Sequence, residues 1–225
     1  SRKNGQPLNE ILALGLIGPE AREAVPTLLE AFKNPELQPN VLTALAGIGS
    51  GAEAAVPALV EFLKTAESSK QSQPLETLLK IGPPARAALP VLEQIVATQT
   101  NVLRVLAAVA IARIEGKPDR AAPPLVEALR WVSQRSDPSW QFHVPSPRVS
   151  FPKQYGFGSR EAAAWFLGEF GPAAKAALPE LTDAMEKGRP WLRVLAARAI
   201  WRIDHNPAKV LPELTRALSE REDLE

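Results

Sequence analysis

The chain has no cysteine, two histidines, few aromatic residues and no long apolar run. The missing cysteine removes disulfide frameworks, thiol nucleophiles, zinc fingers and cysteine-ligated iron–sulfur clusters together. His143 and His205 alone leave little room for histidine metal chemistry. The longest apolar run, Val105 to Ala112, has eight residues between Arg104 and Arg113, against the roughly 18 that suggest a membrane span. Ser1 to Pro7 lacks the apolar stretch of a signal peptide. The chain as given therefore reads as soluble, with its compartment, cytoplasmic or exported, left open. Charge of one sign is also lacking, since 26 Lys+Arg face 25 Asp+Glu. With 45% hydrophobic residues that balance argues against disorder, and 225 residues are enough to bury a core.

What the chain has instead is proline, 22 residues beside 13 Gly in a sequence rich in Ala and Leu. Random proline at that level breaks helices, but these fall on a lattice. Ile17-Gly18-Pro19 … Ala24-Val25-Pro26-Thr27-Leu28 recurs as Ile48-Gly49 … Ala55-Val56-Pro57-Ala58-Leu59. It returns as Ile81-Gly82-Pro83 … Ala88-Leu89-Pro90-Val91-Leu92 and as Phe170-Gly171-Pro172 … Ala177-Leu178-Pro179-Glu180-Leu181. Two eroded copies begin at Ile114 and Ile203, with Pro123 and Pro212 in register. The openers at 17, 48, 81, 114, 170 and 203 are 31, 33, 33, 56 and 33 residues apart.

Each period reads as two helices. Gly-Pro closes one and starts the next, and the second Pro is expected to bend the first helix of the unit from inside. The second helix follows, as in Asn101 to Ile114 or Trp191 to Ile203, with Leu45, Leu78, Ile111, Leu167 and Ile200 as core positions. Ala44, Ala110 and Ala199, one residue earlier, let neighbouring helices approach. One helix pair cannot bury its apolar face alone, so pairs must stack.

The Ile-Gly-Pro … Ala-Val-Pro-x-Leu strings, with Arg104, Arg160 and Arg193 each ten residues before an opener, resemble the HEAT repeat, particularly the short bacterial PBS-lyase HEAT-like variety. The likeness runs from about Leu8 to Leu218 and departs from the pattern at Gln38 and Gln71, where that Arg is missing. It implies an all-α, right-handed armadillo/HEAT-like α-solenoid, one domain over 1–225, of about twelve helices. The count begins with the half unit Leu8 to Ile17 and ends on a first helix near Ala208 to Ser219. Those half-unit ends suggest a piece of a longer protein. The family mostly supplies binding surfaces, which implies a protein-interaction scaffold with no catalytic residues, metal or cofactor.

The 56-residue step holds about 23 extra residues in the fourth unit, an insertion over 133–158. Pro138, Pro145, Pro147 and Pro152 exclude a helix there, while Trp140, Phe142, Phe151, Tyr155 and Phe157 point to an ordered loop. Of the 13 aromatic residues, eleven lie between Trp131 and Trp201. The columns five and two residues before the openers vary freely, Thr43, Glu76, Val109, Trp165, Arg198 and Ala46, Leu79, Ala112, Gly168, Trp201. Such columns are expected outside the core. With Trp191, Val194 and Arg202 they form a stripe on the helix expected to line the concave side. The candidate partner-binding site is Trp165, Trp191, Arg198, Trp201 and Arg202, walled by Trp140, Phe142 and Tyr155 of the loop. Trp and Arg suit interface hot spots, and the occupant is either a peptide or protein segment or the loop itself folded back.

Other chemistry finds less footing. Glu20/Glu23 and Asp183/Glu186 sit at helical spacing on polar faces. His143 near Asp137 has no nucleophile-elbow string around any Ser. The His-Glu pairs of HEAT-like di-iron hydroxylases are missing, and the family's name alone suggests a pigment lyase or chaperone. Nucleic acid is the second reading. Between Arg130 and Arg202 eleven Lys/Arg exceed six acids by five, with aromatics able to stack on bases, although a nucleic-acid domain is usually more basic than pI 8.0.

Overall fold

The computed structural model describes residues 7–130 and 158–222, and among these every regular element is helical. The chain forms two compact units, Ser1–Lys117 and Pro118–Glu225. In the first lie α1 (Leu8–Ile17), α2 (Val25–Phe32), α3 (Gln38–Ile48), α4 (Val56–Thr65), α5 (Ser72–Ile81), α6 (Leu89–Thr98) and α7 (Val102–Glu115). The second holds α8 (Ala122–Arg130), α9 (Ser159–Phe170), α10 (Leu178–Lys187), α11 (Pro190–Asp204) and α12 (Leu211–Glu222).

The periodic strings make a repeated joint. Gly18, Gly49, Gly82 and Gly171 each end a helix at φ between 57° and 84° and ψ between −127° and −148°, a region a side chain cannot enter. A short 3₁₀ segment follows, Gly18–Ala24, Gly49–Ala55, Pro83–Ala88 or Gly171–Ala177. The two eroded units close differently. α7 and α11 run to Gly116 (φ 70°, ψ 26°) and His205 (φ 53°, ψ 21°), both left-handed helical caps.

The second Pro of each repeat does not bend a helix from inside, as its distance from Gly-Pro suggests. Pro26, Pro57, Pro90 and Pro179 stand second in α2, α4, α6 and α10. The first helical N–H groups have no intrahelical partner there, so proline forfeits nothing. The bend lies earlier, in the 3₁₀ segment, where buried Ala52, Ala85 and Ala174 leave helical backbone angles. Alanine is the side chain small enough to turn inward at such a bend. Gly51 shows how close these segments lie, since a Cβ there would stand 2.8 Å from the Pro19 carbonyl oxygen.

Second helices stack on second helices, α1 on α3, α3 on α5 and α5 on α7 in the first unit, and α9 on α11 in the second. The expected core positions Leu45, Leu78, Ile111, Leu167 and Ile200 are buried, as are Ala44, Ala110 and Ala199. Small residues set the spacing. A Cβ on Gly47 would stand 2.3 Å from the Gly15 carbonyl oxygen, and one on Gly15 would stand 2.7 Å from the Ala44 Cα.

Where the recurrent Arg is replaced, the substitute keeps a structural task. Gln38 Nε2 donates to the Phe32 carbonyl at 3.2 Å, and buried Gln71 Nε2 donates to the carbonyls of Leu63 and Ala66 at 3.1 and 3.0 Å. Both satisfy carbonyls left open at the end of the preceding first helix. Arg193 reaches forward instead, its Nε donating to Glu213 Oε1 of α12 at 2.7 Å. Among the described residues one stretch, Gln38–Thr65, is long and apolar enough to cross a membrane by length and composition. It is α3, a 3₁₀ segment and α4 with the bend at Ala52 between them.

Candidate functional site

α9 and α11 meet across Gly168, where a Cβ would stand 3.0 Å from the Ala199 Cα. That approach brings side chains five and one residues before the two openers into contact. The Arg198 guanidinium lies 3.8 Å from the centre of the Trp165 ring, a cation–π stack on the strongest such face. Arg198 Nη2 also donates to Glu169 Oε1 at 2.6 Å. Arg202 Nε donates to the Gly168 carbonyl at 2.8 Å, and its Nη2 stands 3.6 Å from Glu169 Oε2. One carboxylate thus serves two guanidiniums, and both are held in fixed directions.

Trp165, Arg198 and Arg202 are brought together as the sequence suggested, but Trp165 is buried, at 5% exposure. Its column is therefore not uniformly outside the core, and Val109, Leu79 and Ala112 are buried as well. Trp165 acts as the floor on which Arg198 rests. Trp201 is the aromatic that meets solvent, at 48% exposure, with the His205 ring edge-on at 6.2 Å. Trp191, half-buried in the first turn of α11, stands ten residues from Trp201, about 15 Å along a helix axis. It shares the helix but not the cluster. Trp140, Phe142 and Tyr155, with the 133–157 part of the insertion, lie outside the described residues.

Glu169 is the residue that sequence reasoning missed. It occupies the column one before the opener, where Lys80, Arg113 and Arg202 also carry charge. At the start of α9, buried Glu161 accepts from the Gly158 N–H at 3.0 Å and stands 3.9 Å from Arg189 Nη2.

Among the described residues, several cations of this unit face carboxylates. Arg130 pairs with Glu180, Lys187 with Asp183, Arg193 with Glu213, and Arg198 and Arg202 with Glu169. Hydrogen bonds from Arg216 and Arg193 hold the Glu213 carboxyl below its ordinary range, and Lys209 does the same for Asp204.

The corresponding face of the first unit holds another titrating group. Burial raises half-buried Glu76 of α5 from 4.5 to about 7, against the opposing pull of Lys80. Lys80 is itself lowered, by burial and then by Arg113 of α7. No group of three or more His, Asp or Glu among the described residues could hold a metal ion.

Residues 159–187, which span α9, the following 3₁₀ segment and α10, match the family model of the PBS lyase HEAT-like repeat. No curated protein and no solved structure matches the chain.

Proposed function

From the match of residues 159–187 to the PBS lyase HEAT-like repeat and the recurrence of the same joint along the chain, we propose that this is a HEAT repeat protein and a non-catalytic scaffold for protein–protein interaction. In this reading its repeats continue as a right-handed α-solenoid, and a peptide or protein segment is gripped on the concave face formed by second helices. Successive stacking of α1, α3, α5 and α7 supports the first part. The site is the α9–α11 surface: Trp201 is the contact residue, Arg198 and Arg202 flank it, and Trp165 and Glu169 set the arginines. Trp191, in the first turn of the same helix, is a separate contact residue in this reading.

The observation that carries the reading is Trp201, half exposed beside two arginines already fixed in place. Trp and Arg dominate interface hot spots, and a side chain that is ordered beforehand loses less entropy on binding. Nucleic acid has less support, because Arg130, Lys187, Arg193 and Arg198 already make close ion pairs with carboxylates, whereas affinity for a phosphate backbone requires several uncommitted cations along one face.

A photo-crosslinking amino acid placed at position 201, and at position 30 on exposed Glu30 of α2 as control, tests the proposal. The expected result is a discrete protein adduct from position 201 that position 30 does not give. Equal labelling from both, or labelling of nucleic acid alone, overturns it.

A further inference from the structure

We propose that the segment taken by the α9–α11 surface is acidic, a linear peptide that lays an apolar side chain on Trp201 and a carboxylate on Arg202. This rests on the reading that the surface binds a peptide or protein, and adds the chemistry of what it selects.

The first argument is a count of donors. A guanidinium presents five N–H groups in a planar fork. Arg202 uses Nε on the Gly168 carbonyl at 2.8 Å, while Glu169 Oε2 stands 3.6 Å from its Nη2, beyond a hydrogen bond. The Nη groups are therefore not taken up by either neighbour, and the side chain is 37% exposed. A carboxylate is the acceptor whose geometry fits two parallel N–H groups.

The second argument is charge. Among the described residues, Arg198, Arg202, Lys175 and Lys209 stand around the C-terminal end of α11 against Glu169 and Asp204, an excess of two positive charges. Glu169 is divided between two arginines, so it compensates neither fully. An anionic segment completes this arrangement, whereas a basic one is repelled.

The third is adjacency. Trp201 and Arg202 are consecutive on α11, and Trp201 is 48% exposed. An apolar group and a carboxylate must therefore lie close together along the partner. Arg202 is held by the Gly168 carbonyl and Arg198 by the Trp165 face, so neither has to be ordered when the partner arrives.

The test is selection of a random peptide phage library on the intact chain, followed by fluorescence anisotropy of the enriched peptides. Enriched sequences are expected to carry Asp or Glu within two residues of an aromatic or large aliphatic residue. Replacing that acid by its amide should weaken binding on the order of tenfold. Arg202→Gln should erase the difference between acid and amide peptides, and Trp201→Ala should weaken both alike. Arg202→Lys, which keeps the charge without the fork, should restore part of the preference. Because these variants could disturb folding, the salt dependence of acid against amide peptides on the unaltered chain is a second readout, and only the acid peptides should weaken as salt rises.

Enriched peptides that need Trp201 but show no acid preference overturn this inference and leave the peptide-binding reading standing. Peptides indifferent to Trp201→Ala overturn both. Tighter binding of a poly(dT) oligonucleotide than of any selected peptide also overturns both.

Discussion

The second-helix faces of the two units share one register but carry different chemistry. In the first unit, the column five residues before the opener holds Thr43, Glu76 and Val109, and the column one before it holds Gly47, Lys80 and Arg113. In the second unit the same columns hold Trp165 and Arg198, then Glu169 and Arg202. The backbone joint is common to both, so the difference lies in side chains alone. One face leaves two cations repelling each other beside a carboxyl that burial makes harder to ionise. The other places a carboxylate between two cations and an aromatic floor beneath one of them. A repeat scaffold can thus keep its packing while each face acquires its own task.

The sharpest way to break the contrast is Trp165→Ala. Removing a buried Trp should cost about 4 kcal/mol and release Arg198, read as a lower urea midpoint. If Trp201→Ala destabilises as much, the division into floor and contact residue is wrong. Next is Gly47→Ala in the first unit. Alanine normally strengthens a helix by about 1 kcal/mol over glycine. Here its Cβ would meet the Gly15 carbonyl oxygen at 2.3 Å, so a net loss of about 2–3 kcal/mol is expected. A stabilised variant would show that the helices have room to separate.

The titrating carboxyl gives a third test. Between pH 4.5 and about 7 the unfolded chain releases a proton that Glu76 keeps in the folded one. Stability should therefore fall as pH rises through that window and level off above it. Discounted for the part of the side chain that water reaches, the drop is on the order of 2 kcal/mol. Glu76→Gln should flatten the profile and be the more stable protein at pH 8; an unchanged slope would place the titration elsewhere. The smallest expected effect is Trp201→Ala, within about 0.5 kcal/mol of the parent in a thermal melt.

The helix pairs, their joints and the buried positions three residues before each opener were legible in the sequence, because a fixed spacing between Gly, Pro and apolar residues leaves few backbone arrangements. The role of the second Pro was not. A string of residues does not distinguish a 3₁₀ segment followed by a new helix from one helix with a proline inside it, since both satisfy the same spacing. Trp165 was misjudged for a different reason. Variation between repeats suggests exposure, but a column can vary and still be buried when neighbouring helices differ in bulk, as Leu79 and Val109 also show. Glu169 escaped because ion pairing across 29 residues depends on how two helices meet at Gly168 and Ala199, which net-charge counting does not see.

The two kinds of helix closure affect how the sequence can drift. At Gly18, Gly49, Gly82 and Gly171 the backbone sits where only glycine is comfortable, so nearly every substitution there is penalised and the repeat signature is preserved. At position 116 the left-handed cap tolerates Asn or Asp at modest cost, and at 205 a histidine already occupies it. The repeats closed in this second way can accumulate change without losing their shape. Their ancestry fades from the sequence first, and they are where new surfaces can arise with least resistance from the backbone.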